Sequence, residues 1–251
     1  MGSGSSEGSV GLGPTSPCLS EEKAAEFEEE PLTATLKRFS TDYFDIRFLK
    51  GVSGKADVYA ESREAGFIAC TETEGAYFEL LGGATSVGPL IIAPQDPESA
   101  NYWPTVLQQS HRHNQNLREI PVFGKDEMET IFDDVGIEPD PERGHIVVEF
   151  VFVQDSERLR QNAIELRTLS GAVAYRNADE WSRDLEQTTG DGLAVALNVG
   201  ALGGLGSKVD LRYVVDPQNS DQEITIPSVV VARGAVTYVA LTPEGGRLPG
   251  F

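Results

Sequence analysis

Ser207-Lys208-Val209-Asp210-Leu211-Arg212-Tyr213-Val214-Val215-Asp216 decides the fold class. Val209, Leu211, Tyr213 and Val215 alternate with Lys208, Asp210, Arg212 and Val214. A period of two sets those four apolar side chains on one face of a strand. The pattern recurs on both sides. Tyr43–Leu49 puts Phe44, Ile46 and Phe48 on one face, with Asp45 and Arg47 on the other. Upstream, strands are expected at Leu32–Arg38, Ala56–Glu61, Gly66–Cys70, Ala76–Leu81 and Pro89–Ala93. Downstream they are expected at His145–Val153, Ala163–Leu169, Gly171–Arg176, Gly192–Val199, Glu223–Ala232 and Ala235–Leu241. His145–Val153 is nearly continuously apolar, which predicts burial on both faces. Many short strands and few helices predict an all-β protein, an antiparallel jelly-roll sandwich or barrel.

Three segments interrupt this series. Residues 1–19 are rich in Gly and Ser and are expected to form a flexible tail. Ser20 is placed to cap a short helix over Glu21–Glu30, and Pro31 closes it. Residues 1–31 thus form a disordered acidic tail with a short helix, and 32–251 form the body. Residues 94–144, rich in Pro, Asn, Gln, His and Asp, are expected to be a long insertion. That insertion carries one helix at Lys125–Asp134, with Gly136 just past its end. A second short helix is expected around Ala178–Gln187.

Forty Asp and Glu oppose twenty Lys and Arg, a net charge of −20, and only six of the cations are Lys. The tail carries seven Glu and one Lys, or −6, which leaves −14 on the rest. Such a surplus repels itself in dilute buffer. In molar salt, where the screening length is about 3 Å, that cost nearly vanishes. High Asp and Glu with scarce Lys is the pattern of salt-in halophiles. The same charge opposes direct binding of nucleic acid or an anionic membrane. No apolar run reaches the length of a membrane span, and the first residues lack a signal peptide's basic and apolar regions. A soluble protein is expected, cytoplasmic or part of a particle assembled inside a cell. Cys18 and Cys70 make no disulfide framework.

Few constellations carry chemistry. In His111-Arg112-His113, residues two apart on a strand share a face, so both imidazoles could ligate one metal, with Glu119 and His145 completing the set. His-x-His, then Glu119, then His145 after Pro141-Glu142-Arg143-Gly144, resembles the metal motifs of cupins, which are also jelly rolls. The spacing from Glu119 to Gly124 is shorter than in that family. The bland alternative is a polar surface loop with solvated histidines. Gly200-Ala201-Leu202-Gly203-Gly204-Leu205-Gly206-Ser207-Lys208 lacks adjacent Gly-Lys-Ser/Thr and precedes a strand, so a hairpin connection is expected there instead of a phosphate loop. Ala84-Thr85-Ser86-Val87-Gly88 precedes a strand where a nucleophile elbow needs a helix. Asp133, Asp134, Glu138, Asp140 and Glu142 do not match an EF-hand and are expected to form a solvated acidic surface. Trp103, Trp181, Tyr102 and Tyr43 are candidate carbohydrate platforms or interface anchors, with core packing the commoner role.

A β-dominated body, a mid-chain insertion and a salt-adapted composition are together similar to the single-jelly-roll capsid proteins of halophilic archaeal viruses with internal membranes. That resemblance implies a virion structural protein with no catalytic set and no cofactor. It implies assembly with copies of itself or other shell proteins, and contact with an internal membrane through partners. Residues 94–144 would then be a tower or inter-subunit element, with the tail against neighbouring subunits or the inner face. The cupin-like metalloprotein using His111, His113, Glu119 and His145 is the alternative.

Overall fold

A computed structural model describes residues 32–38, 50–62, 67–73, 77–80, 87–108, 119–154, 157–168, 170–200, 207–218 and 222–242. The expected tail, its helix and the strand at 43–49 lie outside the described residues. The chain begins with β1 (Leu32–Arg38), β2 (Lys50–Gly51), β3 (Ala56–Ser62), β4 (Phe67–Glu72), β5 (Tyr77–Leu80) and β6 (Val87–Pro94). Next come β7 (Thr105–Leu107), β8 (Glu119–Val122), the helix α1 (Lys125–Val135), β9 (Gly144–Gln154) and β10 (Glu157–Arg160). The remainder is β11 (Ile164–Arg167), β12 (Ala172–Asn177), β13 (Glu180–Ser182), β14 (Leu193–Val199), β15 (Ser207–Val215), β16 (Glu223–Val231) and β17 (Val236–Leu241).

These strands make a largely β protein. The main sheet runs β13-β12-β14-β9-β17-β7-β6-β3-β4, with β10 hairpinned onto β9. A three-stranded sheet, β11-β15-β16, covers one face of it, and β2, β1, β5 and β8 form a third sheet. Pairing is mostly antiparallel, but β17 is parallel to both β9 and β7, and β1 is parallel to β8. The expectation of a purely antiparallel arrangement is corrected to a mixed one. A strand that arrives late in the chain between two earlier ones takes its direction from its connection, not from a hairpin.

β9 is buried on both faces, as its unbroken apolar run predicts. Val147, with Val195 of β14 and Tyr238 of β17, packs on one side against Met128, Ile131 and Phe132 of α1. Ile146, Val148 and Phe150 face the other way, against Ile164, Leu211, Tyr213 and Ile226 of the small sheet. The alternating stretch at 207–215 has Leu211 and Tyr213 fully buried, with Lys208 and Asp210 exposed.

Residues 94–144 do not stand apart from this core. β7 lies inside the main sheet, and Tyr102, Leu107, Val122, Phe123 and the inner face of α1 are buried in it. α1 ends one residue later than expected, at Val135. Gly136 follows in the left-handed region (φ 67°), and the amides of Gly136 and Ile137 bond back to the Asp133 and Phe132 carbonyls. This closure satisfies the helix's last carbonyls, and Ile137 packs against the core beside it.

The helix expected at Ala178–Gln187 is corrected: Ala178 and Asp179 turn a hairpin between β12 and β13, with Ala178 at φ 55°. Its Ala, Glu and Leu favour a helix locally, but burial of Trp181 wins. Trp181 is then fastened to α1 by its amide, which donates to Asp134 Oδ2 at 3.0 Å.

Side chains, together with the Thr188 amide, close β11 and one position of β16, the two edge strands of the small sheet. On β11, Ile164 N–H donates to Thr188 Oγ1 (3.1 Å) and the Ile164 carbonyl accepts from Thr188 N–H (2.9 Å). Two residues on, Leu166 N–H donates to Tyr175 Oη (2.8 Å), and that hydroxyl donates to the Leu166 carbonyl (3.3 Å). On β16, Val230 N–H donates to Gln108 Oε1 (2.6 Å) and its carbonyl accepts from Thr237 Oγ1 (2.8 Å). Side chains thus fill the positions that a further strand would occupy.

Candidate functional site

The expected metal ligands are not gathered among the described residues. His111 and His113 lie outside them, and Glu119 opens β8 beside Thr35 of β1. His145 sits on β9, fully buried. Its ring meets Phe132 and Trp103 edge-on, with centroids 4.9 and 5.5 Å away. Its Nδ1 accepts the Asn198 amide at 3.1 Å, so in the neutral ring Nε2 carries the proton. Burial pushes its pKa down to about 4, against the opposing pull of Asp140. Asn198, at φ 52° in the irregular end of β14, extends the contact. Its side chain accepts the Asp140 amide and donates to the Glu138 carbonyl, both at 2.9 Å. His145 therefore braces the connection between α1 and β9. No group of three or more His, Cys, Asp or Glu among the described residues is arranged to hold a metal ion.

Several of the expected acidic-loop carboxylates have structural roles. Asp134 holds Trp181, Asp140 pairs with Arg143 (3.5 Å) and Glu142 with Arg233 (2.9 Å). Of the aromatic platforms, Trp181 and Tyr102 are core residues, Trp103 is half-buried, and Tyr43 lies outside the described residues. The glycine-rich run leads into β15 at Ser207, whose hydroxyl bonds back to the Gly200 carbonyl.

Two features escaped sequence reasoning. The first is a buried ionic cluster. Glu149 on β9 and Arg160 on β10 pair at 3.1 Å, with side chains only 1% and 3% exposed, and the Tyr238 hydroxyl donates to the other Glu149 oxygen. Arg176 approaches Asp191 at 3.8 Å. Burial raises the Asp191 carboxyl, and Arg176 and Arg160 oppose that rise. Glu149 is a lone acid in an apolar strand, Gly144–Gln154, and that isolation was the available signal.

The second is an open cleft of about 830 Å³ where β11 and β12 meet the turns at 183–187 and 217–218. Tyr175, Leu166 and Val173 form its floor. Tyr175 is locked there by its two bonds to Leu166, and burial pushes its hydroxyl up to about 12. Arg183, Asp184, Glu186, Gln187 and Gln218 stand on the rim. These residues come from four separate stretches of chain, so no local motif announced the cleft. Its lining carries three carboxylates, one guanidinium, two side-chain amides and the Tyr175 hydroxyl beside the apolar Leu166, Val173, Leu185 and Pro217.

No protein-family model and no curated protein matches the chain. Among solved structures the chain is similar to a streptococcal ancillary pilin, at 11% identity and a TM-score of 0.22, over 85% of this chain and 69% of that one. At that score the likeness assigns neither architecture nor role. No helix among the described residues is long and apolar enough to cross a membrane.

Proposed function

We propose that the chain is a structural subunit of a shell, the capsid protein of a virus with a halophilic host, assembling with copies of itself or other shell proteins. One observation carries the structural role: interior groups able to do chemistry serve as struts. The Tyr175 hydroxyl closes a sheet edge, the Tyr213 hydroxyl donates to the Thr242 carbonyl, and His145 holds Asn198. The halophilic shell is supported by composition, with its −20 charge and six Lys. The proposal includes a jelly-roll origin for the packed sheets, from which the parallel pairing of β17 is a departure. With β11 and part of β16 closed by side chains, association runs through sheet faces and the remaining edges. Light scattering in molar NaCl tests the proposal: masses of several subunits or more are expected. A strict monomer at high concentration, with no particle containing the chain, would overturn it.

A further inference from the structure

We propose that the cleft between β11, β12 and the 183–187 turn is a binding site for an acidic saccharide, a sugar chain bearing carboxylates. Its size falls within the range of sites that enclose small molecules, about 300–1,000 Å³. Val173, Leu185 and Pro217 are half-buried and give it apolar lining, while Glu186, Gln187 and Gln218 add planar hydrogen-bonding groups at the rim. Apolar patches beside planar amides and carboxylates suit a ligand with C–H faces and many hydroxyls. The floor is rigid because Tyr175 is fixed to Leu166 at both backbone groups, so little order is lost on binding.

The carboxylate preference comes from Arg183. Among the arginines with described side chains, Arg143, Arg160, Arg167, Arg176, Arg212 and Arg233 each pair with a carboxylate. Arg183 alone among them has no such pair, although Asp184 and Glu186 stand on the same rim. In a chain with twice as many acids as cations, an uncommitted guanidinium fork at a cleft is a ready partner for a ligand carboxylate. Glu165, another acid of the lining, is already engaged by Arg167 at 2.8 Å.

The site is built within one chain, so it stands or falls separately from the shell reading, and failure of either leaves the other intact. The test is an amide-resolved NMR titration of the full chain, at the lowest salt that keeps it folded. The probes are tri-galacturonic acid, the neutral trisaccharide maltotriose, and a tri-glutamate peptide. Tri-galacturonic acid is expected to shift amides at 165–187 and 217–218, with the other two weaker. Arg183→Gln is expected to weaken it by about tenfold, the worth of a charge-assisted fork. Glu186→Gln, which removes a like charge from the rim, is expected to strengthen it. The proposal is overturned if tri-galacturonic acid leaves these amides unmoved or binds Arg183→Gln equally well. Equal binding by maltotriose or tri-glutamate overturns it too.

Discussion

Single side chains set two measurable properties. His145 is neutral in the folded state, its pKa pushed down to about 4 by burial, whereas the unfolded chain titrates near the ordinary value of about 6.5. Its contribution is therefore complete above that ordinary value. As pH falls towards 4 the unfolded chain takes up a proton that the folded one refuses, and stability should drop by about 3 kcal/mol. Urea midpoints across that range should slope less in His145→Phe than in the parent, while both share the slope due to carboxylates. Equal slopes would refute the assignment. The Glu149–Arg160 pair behaves differently, because each partner offsets the other's desolvation. Glu149→Gln should cost about 3–5 kcal/mol by leaving the buried guanidinium without its hydrogen-bonded carboxylate, with only the charge of Asp191 still acting on it. The double variant Glu149→Gln/Arg160→Met should cost less than the single one, and additive losses in urea unfolding would sink the idea. Neither role was legible in sequence. His145 stood out there as one of three histidines, and only the fold shows that its Nδ1 holds a backbone amide.

At the level of elements, the alternating strand at 207–215 and the nearly continuous apolar strand at 144–154 were legible within a few residues. β7 and β8 were not, because Thr105–Leu107 and Glu119–Val122 are too short to display a period. β13 was mistaken for helix because Asp179-Glu180-Trp181-Ser182 has no alternation of its own and depends on β12 for its conformation. Sealing of the β11 edge is a nonlocal arrangement, nine residues separating Tyr175 from Leu166. Tyr175→Phe removes the cap from both groups of Leu166. It should cost about 1–3 kcal/mol, the penalty for buried unsatisfied backbone. Hydrogen exchange should show the Leu166 amide opening faster while β9 amides stay protected. An unchanged rate would show that the edge does not rely on the hydroxyl. Gly171 is a tighter constraint, at φ 86° with a Cβ position only 2.3 Å from the Leu197 carbonyl oxygen. Any side chain there must displace β14.

For the molecule as a whole, surface charge couples folding to the solvent. With a net charge of −20, self-repulsion should fall as salt approaches about 1 M, where screening reaches only about 3 Å. The thermal midpoint should rise with NaCl, by about 2–4 °C for each kcal/mol of repulsion relieved. Scanning calorimetry from low to multimolar NaCl checks this, and a flat or falling midpoint would end the halophilic reading. The all-β class was legible from alternation. The strand order was not, since it depends on which distant segments meet. That order has a consequence for how the chain is made. β17 is the only strand joining β7, with β6, β3 and β4 beyond it, to β9, with β14, β12 and β13 beyond it, in the main sheet as described. It is also the last of these to leave a ribosome. Until residues 236–241 have been made, the β7 and β9 borders lack the strand that joins them in the folded protein. For that interval the nascent chain offers two templates for foreign strands. Once β17 is in place, both borders are paired and closed to other chains.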